Sequence, residues 1–356
     1  MRRFLSIFIL TCFLSQGASA ETIYLKNGEK VEGDIVERTI GYIKVDFEGI
    51  PLTYWAEEID YIQLDSAESS ALASEEGEFS QEAPFENKRN FLWRINSEKA
   101  RVYILGSIHL AKEDLYPLDE EINRAFKKSK ILVVEVNLND LDPLVVQAKF
   151  LTKGIYPGED TLKDHISNET FNRAKDKLGS LGRDIDKMIK YKPWFLAFGL
   201  VTFELLNLGF DPDKGIDQYF LNQAEGDKKI LEFETIDYQL DIFDGLTDKQ
   251  QELFLLSTLI ETDILEQEVE EMFRAWKAGD VDSLQEILER GIKEHPELLP
   301  VYNKIFYERN KSMASKVEEF LNSGGSYFIV IGAGHLVGQE GVIQLLKNKG
   351  YSVEQL

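Results

Sequence analysis

One short phrase occurs twice in this 356-residue chain, and it constrains the fold more than any other feature. Residues 102–110 read VYILGSIHL and residues 328–336 read FIVIGAGHL. Each is an unbroken apolar run followed by Gly-x-x-His-Leu. Such runs suit strands covered on both faces, as in largely parallel sheets. The chain has only four histidines, and two of them, His109 and His335, hold equivalent places in the two phrases. Packing alone does not call for an imidazole where a buried strand ends. Two related half-units that bring two nitrogen ligands to one point do.

The elements around the phrases extend the pattern. Phe91–Ile95 and Arg101–Leu105 read as a hairpin of strands, and Leu118, Ile122, Ala125 and Phe126 recur at helical spacing. Ile131–Val134 is a further apolar run, and Lys229–Phe233 is another expected strand. The middle, from about 143 to 225, is mainly helical. Residues 246–321 form a succession of helices with a break at Lys293–Pro296. Tyr327–Ile331 returns to strand, Val342–Lys347 to helix and Tyr351–Glu354 to a last strand. Strand, GxxH, helix, strand thus appears at both ends, the duplication seen again in the elements. The expected class is α/β, with duplicated halves, a central and largely parallel sheet, and a helical insertion.

Four polar groups fall at or just after expected strand ends: His109, Glu135, Glu234 and His335. In open α/β sheets, sites form at the carboxyl ends of the strands. If these strands are parallel neighbours, two imidazoles and one or two carboxylates converge. Glu135 closes the run Ile131–Val134, where a buried charge is costly without a partner. Two His and a carboxylate are a common shell for a divalent metal with an open position, and Zn is among the metals such ligands take. A metal there would polarise a carbonyl or acidify a water, with a second carboxylate as base or orienter. Gly106 and Gly332 let the chain leave the strand sharply, and Gly334 and Gly338 keep backbone close to the pocket.

Other residues have plainer readings. Arg309 and Asn310, in a helical stretch, either stabilise an oxyanion and orient a carboxylate or make a surface ion pair. His165 and His295 lie in polar stretches and are expected to be solvated. Phe273 and Trp276 read as core, Gly279-Asp280 as a helix stop, and Asp217 as an acidic residue at a helix start.

The N-terminus has its own organisation. Arg2 and Arg3, the apolar stretch Phe4–Leu14 and the small residues Ala18, Ser19 and Ala20 read as an export signal over residues 1–20. The mature start would then be near Glu21, in the periplasm or outside the cell. The only cysteine, Cys12, leaves with that signal, which excludes thiolate chemistry and cysteine-ligated zinc from the mature chain. Residues 21–64 carry several short alternating runs with turn cues at Asn27-Gly28 and Glu48-Gly49, the pattern of a small SH3-like or Sm-like β-barrel. Residues 65–88, rich in Ser, Ala and Glu, read as a flexible acidic linker, and the second domain spans 89–356. Trp194–Phe210 is apolar, but Glu204 and Asn207 interrupt it, so no integral membrane span is expected in the mature chain. The net charge of −23 argues against a nucleic-acid partner.

Over residues 89–356 the chain strongly resembles the TraB/PrgY/GumN family, which includes the Tiki metalloproteases. The resemblance rests on order and spacing. It takes in Leu92–Ile95, Gly106–Leu110, Leu115–Leu118, Glu135–Asn137, Gly215–Asp217, Glu234-Thr235, Phe273-x-x-Trp276-x-x-Gly279-Asp280, Arg309-Asn310 and Gly332–Leu336 with Gly338. It implies a metal-dependent peptidase supported by Mn or Co, with a peptide or protein substrate. The paired histidines map onto His109 and His335, and the family's glutamate onto Glu135. A wider similarity to erythromycin-esterase-like and ChaN-like proteins implies an α/β fold with duplicated halves. Phe233 stands where many relatives have leucine. Two further functions stay open: a non-catalytic binder of a secreted peptide or surface protein, as in pheromone-inhibiting relatives, and a metal-free esterase-like hydrolase with a histidine base.

Overall fold

The computed structural model describes residues 20–26, 30–38, 42–47, 50–55, 59–64, and 89–356 apart from 263. The described residues between 20 and 64 lie in one compact unit and those from 89 onward in another. In the first, β1 (Ala20–Leu25), β2 (Lys30–Arg38), β3 (Tyr42–Phe47), β4 (Ile50–Trp55) and β5 (Ile59–Leu64) form an antiparallel sheet in the order β4-β3-β2-β1-β5. The two expected hairpins pair in register, Tyr24 with Lys30 and Phe47 with Ile50. Among the described residues β4 and β5 are the sheet's edges. The turns expected at Asn27-Gly28 and Glu48-Gly49, residues 1–19 of the expected export signal 1–20, and the expected linker 65–88 lie outside the described residues.

The second unit is built on a six-stranded sheet. Its strands are β6 (Leu92–Asn96), β7 (Ala100–Ser107), β8 (Ile131–Val134), β9 (Lys229–Glu232), β10 (Gly325–Gly332) and β11 (Val353–Gln355), in the order β11-β6-β7-β10-β8-β9. β7, β10, β8 and β9 are mutually parallel, whereas β6 and β11 form an antiparallel flank. The sheet is mixed but largely parallel, as the apolar runs predict. Those runs are buried on both faces: residues 102–105 of β7 and 328–331 of β10 are all inaccessible or nearly so. Phe328 packs between Phe126 and Phe220, with ring centroids 5.4 and 4.8 Å away. Those contacts clamp the helices Glu120–Lys128 and Ile216–Ala224 onto β10.

The duplication holds for strand and histidine and then diverges: β10 ends on Gly332 and runs into a 3-10 turn at Ala333–His335, whereas β7 runs one residue past Gly106 and bends without one. After β7 the chain returns through β8, parallel and one strand removed, beyond β10. After β10 it ends in β11, antiparallel on the far edge beside β6. Two sequence-equivalent strands therefore lie side by side, while the strands that follow them part. The helical insertion covers the predicted stretch, and the helix Pro193–Asn207 buries Trp194 to Leu200 in the core. No helix among the described residues is long and apolar enough to cross a membrane.

Candidate functional site

Register places the four strand-end residues on one edge. Gly332 of β10 pairs with Ser107 of β7, so the two strands end level and release His109 and His335 on the same side. β8 continues the level beside β10. Pairing then runs past β8 and β9, with Phe233 N–H donating to the Val134 carbonyl at 2.9 Å and Glu234 N–H to the Glu135 carbonyl at 2.9 Å. Across the sheet edge the order is His109, His335, Glu135, Glu234. A parallel sheet makes this possible because every strand presents its carboxyl end to the same crevice.

Each imidazole is held by its Nδ1. The His109 Nδ1 lies 2.7 Å from an oxygen of Asp217, whose other oxygen accepts from the Ser107 hydroxyl at 3.0 Å. The His335 Nδ1 lies 2.5 Å from the Asn310 side-chain oxygen. The Asn310 NH2 donates to the Glu340 carbonyl at 2.8 Å, so its oxygen must face the ring and His335 must donate from Nδ1. Both Nε2 atoms then point at one oxygen, Glu135 Oε1, each at 3.9 Å. The same oxygen accepts the Gly332 N–H at 2.7 Å. A methyl group on Gly332 would sit 3.2 Å from that oxygen and 3.4 Å from His109 Nε2, inside the space the three groups enclose.

Behind Glu135 lies a buried ion network. Arg309 is 2% exposed, and its Nη2 donates to Glu135 Oε2 at 2.6 Å and to Glu234 Oε2 at 2.7 Å. Its Nε donates to both oxygens of Glu234, at 2.9 and 3.0 Å, and its Nη1 to the Ile305 carbonyl at 3.1 Å. Gln239 spans the same pair, its NH2 3.3 Å from Glu135 and 3.1 Å from Glu234. Both Glu234 oxygens are taken up in this network. Glu135 alone turns an oxygen toward the histidines.

The electrostatics follow from these contacts. Burial opposes charge on His335, Arg309 adds to that, and its pKa falls to about 3; the ring is neutral with a bare Nε2. Burial pulls His109 the same way, but Asp217 and Glu135 outweigh it and raise its pKa to about 9. Burial would raise the Glu135 carboxyl, yet Arg309, the two imidazoles and the Gly332 N–H hold it well below the usual carboxylate range. A bare nitrogen therefore faces a carboxylate oxygen across a gap that neither fills with a proton.

This donor set fits a divalent cation. On His335 an Nδ1 anchored by an acceptor fixes the tautomer that leaves Nε2 free, the usual support of a metal-binding histidine, whereas His109, charged below a pH of about 9, would give up its Nε2 proton on binding an ion. Ligand atoms around an ion at about 2.1 Å lie about 3.4 Å apart in a tetrahedron, and the two separations here, at 3.9 Å, are half an ångström wider. Among the described residues no group of three or more His, Cys, Asp or Glu is placed to hold a metal ion. His109, His335 and Glu135 would have to draw closer together to share an ion.

Several sequence readings change. Asp217 is not a cap: the helix begins at Ile216 with Gly215 as its cap residue, and the carboxylate goes to His109. Arg309 is no surface pair, because it sits between two buried carboxylates. His165 is not solvated but stacked on Tyr156 at 4.1 Å and bonded to Asp248, and His295 caps a helix beside Glu297; neither joins the cluster. Trp276 is core, as read, and also donates to the Gly106 carbonyl at 2.7 Å. Gly334 and Gly338 line a neighbouring cleft rather than the space between the imidazoles. Sequence reasoning missed Gln239. Its only signal is its position five residues after Glu234, which brings it back over that carboxylate on the first turn of the helix Ile236–Asp244.

Gly215 fixes how Asp217 meets His109. The Ile216 N–H donates to the Ile108 carbonyl at 3.0 Å, and a methyl group on Gly215 would meet the His109 carbonyl oxygen at 2.2 Å. Gly215→Ala is expected to lower stability by about 1–3 kcal/mol through overpacking. Chemical denaturation checks this, and an unchanged midpoint would contradict the contact.

Comparison with known proteins gives a consistent picture. The profile of the TraB/PrgY/gumN family matches residues 91–355. A Metalloprotease TIKI homolog of Nematostella vectensis is 22% identical over 325 residues, covering 76% of this chain and 68% of that protein. An uncharacterized protein of Treponema pallidum is 25% identical over 49% of this chain, which spans 52% of its length. The uncharacterized protein YbaP of Escherichia coli is 22% identical over 69% of this chain and 87% of its own. No solved structure matches the chain.

Proposed function

The chain belongs to the TraB/PrgY/gumN family, and on that premise we propose that it is an exported, divalent-metal-dependent hydrolase acting on peptide bonds. The observation that carries the reading is the pair of Nδ1-anchored imidazoles whose Nε2 atoms converge on Glu135 Oε1. His109, His335 and Glu135 would hold the ion, with Mn or Co the family's metals and Zn suited to the ligand types. A divalent ion there supplies Lewis-acid polarisation of a carbonyl and a more acidic water. Asp217 and Asn310 aim the rings. Arg309 and Gln239 balance the Glu135 and Glu234 charges, so that two buried carboxylates stand side by side without mutual repulsion. Glu135 serves either as that third ligand or as the base toward a water at the histidine edge. Glu234 acts through Arg309 and does not reach the reacting atoms. The name of the Nematostella relative supports proteolysis. We read residues 21–64 as an SH3-like or Sm-like unit that serves docking or adds stability.

The metal-free alternative has one observation in its favour. His109 with Asp217 has the geometry of a general base and its orienting carboxylate. The group facing His109 Nε2, however, is Glu135 and not a hydroxyl nucleophile. Peptide cleavage followed by mass spectrometry separates the readings. The hydrolase reading expects cleavage that chelator abolishes and Mn²⁺ or Co²⁺ restores. Cleavage that persists in chelator supports the histidine base, and peptide retention without products supports the binder.

A further inference from the structure

A small, half-open cleft of about 40 Å³ lies behind His335, between the helix Val281–Glu294, the helical turns at 299–307 and the loop after His335. Its walls include Glu289, Ile292, Tyr302, Phe306, Tyr307 and Glu340. It is continuous with the site. Asn310, which lines it, holds His335 Nδ1 at 2.5 Å, and the Phe306 ring lies 5.2 Å from the His335 ring. The chain is π-helical over Asn303–Tyr307. Phe306, Tyr307 and Asn310 line the cleft, while Arg309 goes to the carboxylates of the site. π-Helical turns recur at functional sites.

We propose that this cleft is the specificity subsite of the same centre and takes a basic side chain, lysine or arginine, of a peptide substrate. The proposal rests on the hydrolase reading above and adds its substrate class. No lysine or arginine is among the lining residues, whereas two carboxylates, Glu289 and Glu340, are. Burial, and then Glu289 and Glu340, hold the Tyr307 hydroxyl in its neutral form. Gln285 donates to one oxygen of Glu289 at 2.6 Å and holds it in place. Lys293 and Lys311 reach Glu289 and Glu340 at 3.1 and 3.6 Å, but from well-exposed positions where ion pairs are weak and easily replaced. The aromatic walls suit a cation on a long apolar stem, through stem packing and ring-face attraction. An acidic side chain would meet like charge on both sides.

Fluorescence anisotropy of the full chain with labelled alanine pentapeptides carrying a central lysine, norleucine or glutamate tests this, in chelator and again with Mn²⁺. The lysine peptide is expected to bind about tenfold more tightly than the glutamate peptide, with norleucine between. In Glu289→Gln with Glu340→Gln the difference should shrink to about twofold or less, because the carboxylates and not the fold carry it. Each single substitution, expected to remove part of the preference, serves if the pair does not fold. Equal binding of all three peptides, no binding in either buffer, or a preference that survives the substitutions would overturn the subsite. Preferential binding without cleavage in Mn²⁺ would sink the hydrolase reading and leave the subsite standing.

Discussion

Arg309→Met is expected to destabilise the second unit by about 3–5 kcal/mol, the cost of breaking a buried pair and leaving charge uncompensated. The guanidinium is the cation shared by Glu135 and Glu234, with Nη2 at 2.6 and 2.7 Å from one oxygen of each. Methionine keeps an unbranched apolar stem but no charge, so the two carboxylates would face each other in a dry interior. One of them would then bind a proton or the edge of the sheet would open. At about 2–4 °C per kcal/mol for a domain of this size, the melting midpoint should fall by roughly 10 °C. Adding Glu234→Gln to Arg309→Met should recover part of the loss, because a neutral amide removes the repulsion. Thermal and urea unfolding of the three proteins checks this. A midpoint within a degree of the parent for Arg309→Met would show that the network is not buried as described.

The second large effect concerns the ion. His335→Ala removes a neutral nitrogen that no other described group near Glu135 replaces, and His109→Ala removes the other. Either substitution is expected to abolish detectable binding of Mn²⁺, Co²⁺ or Zn²⁺ in calorimetric titration. Asp217→Ala leaves both nitrogens but frees the His109 ring from its 2.7 Å anchor. The expected weakening is about 10–100-fold, the usual effect of removing a group that orients a metal-binding histidine. The ranking is the test: ligand removal must cost more than removal of the anchor. If Asp217→Ala binds no worse than the parent, the Nδ1 contact does not organise the ring for a metal.

How much of this could be read from the chain depends on where each residue sits. β7, β8 and β10 are legible because central parallel strands are apolar on both faces, and their ends are marked by His109, Glu135 and His335. The order of those strands was not legible. Nothing local tells β10 to insert between β7 and β8, and that insertion is what makes His335 the neighbour of both His109 and Glu135. Asp217 was misread because an acidic residue in a first helical turn already has a local explanation. Only the packing of the Ile216 N–H on the Ile108 carbonyl turns it to His109. Arg309 and Asn310 were read as helical, and they are. The π-helical turn that precedes them leaves no mark in hydrophobic spacing. Gln239 lies on a helix of ordinary amphipathic pattern, and its role follows from the turn that folds it back over Glu234.

The most direct test of the central claim is elemental analysis of the full chain after loading with Mn²⁺, Co²⁺ or Zn²⁺ and removal of loose ions, run beside His109→Ala and His335→Ala under the same conditions. The account predicts close to one bound ion per parent chain and almost none in either variant, with both variants still folded. Equal metal content in all three proteins would contradict it, since the two imidazoles and Glu135 would then not share a cation.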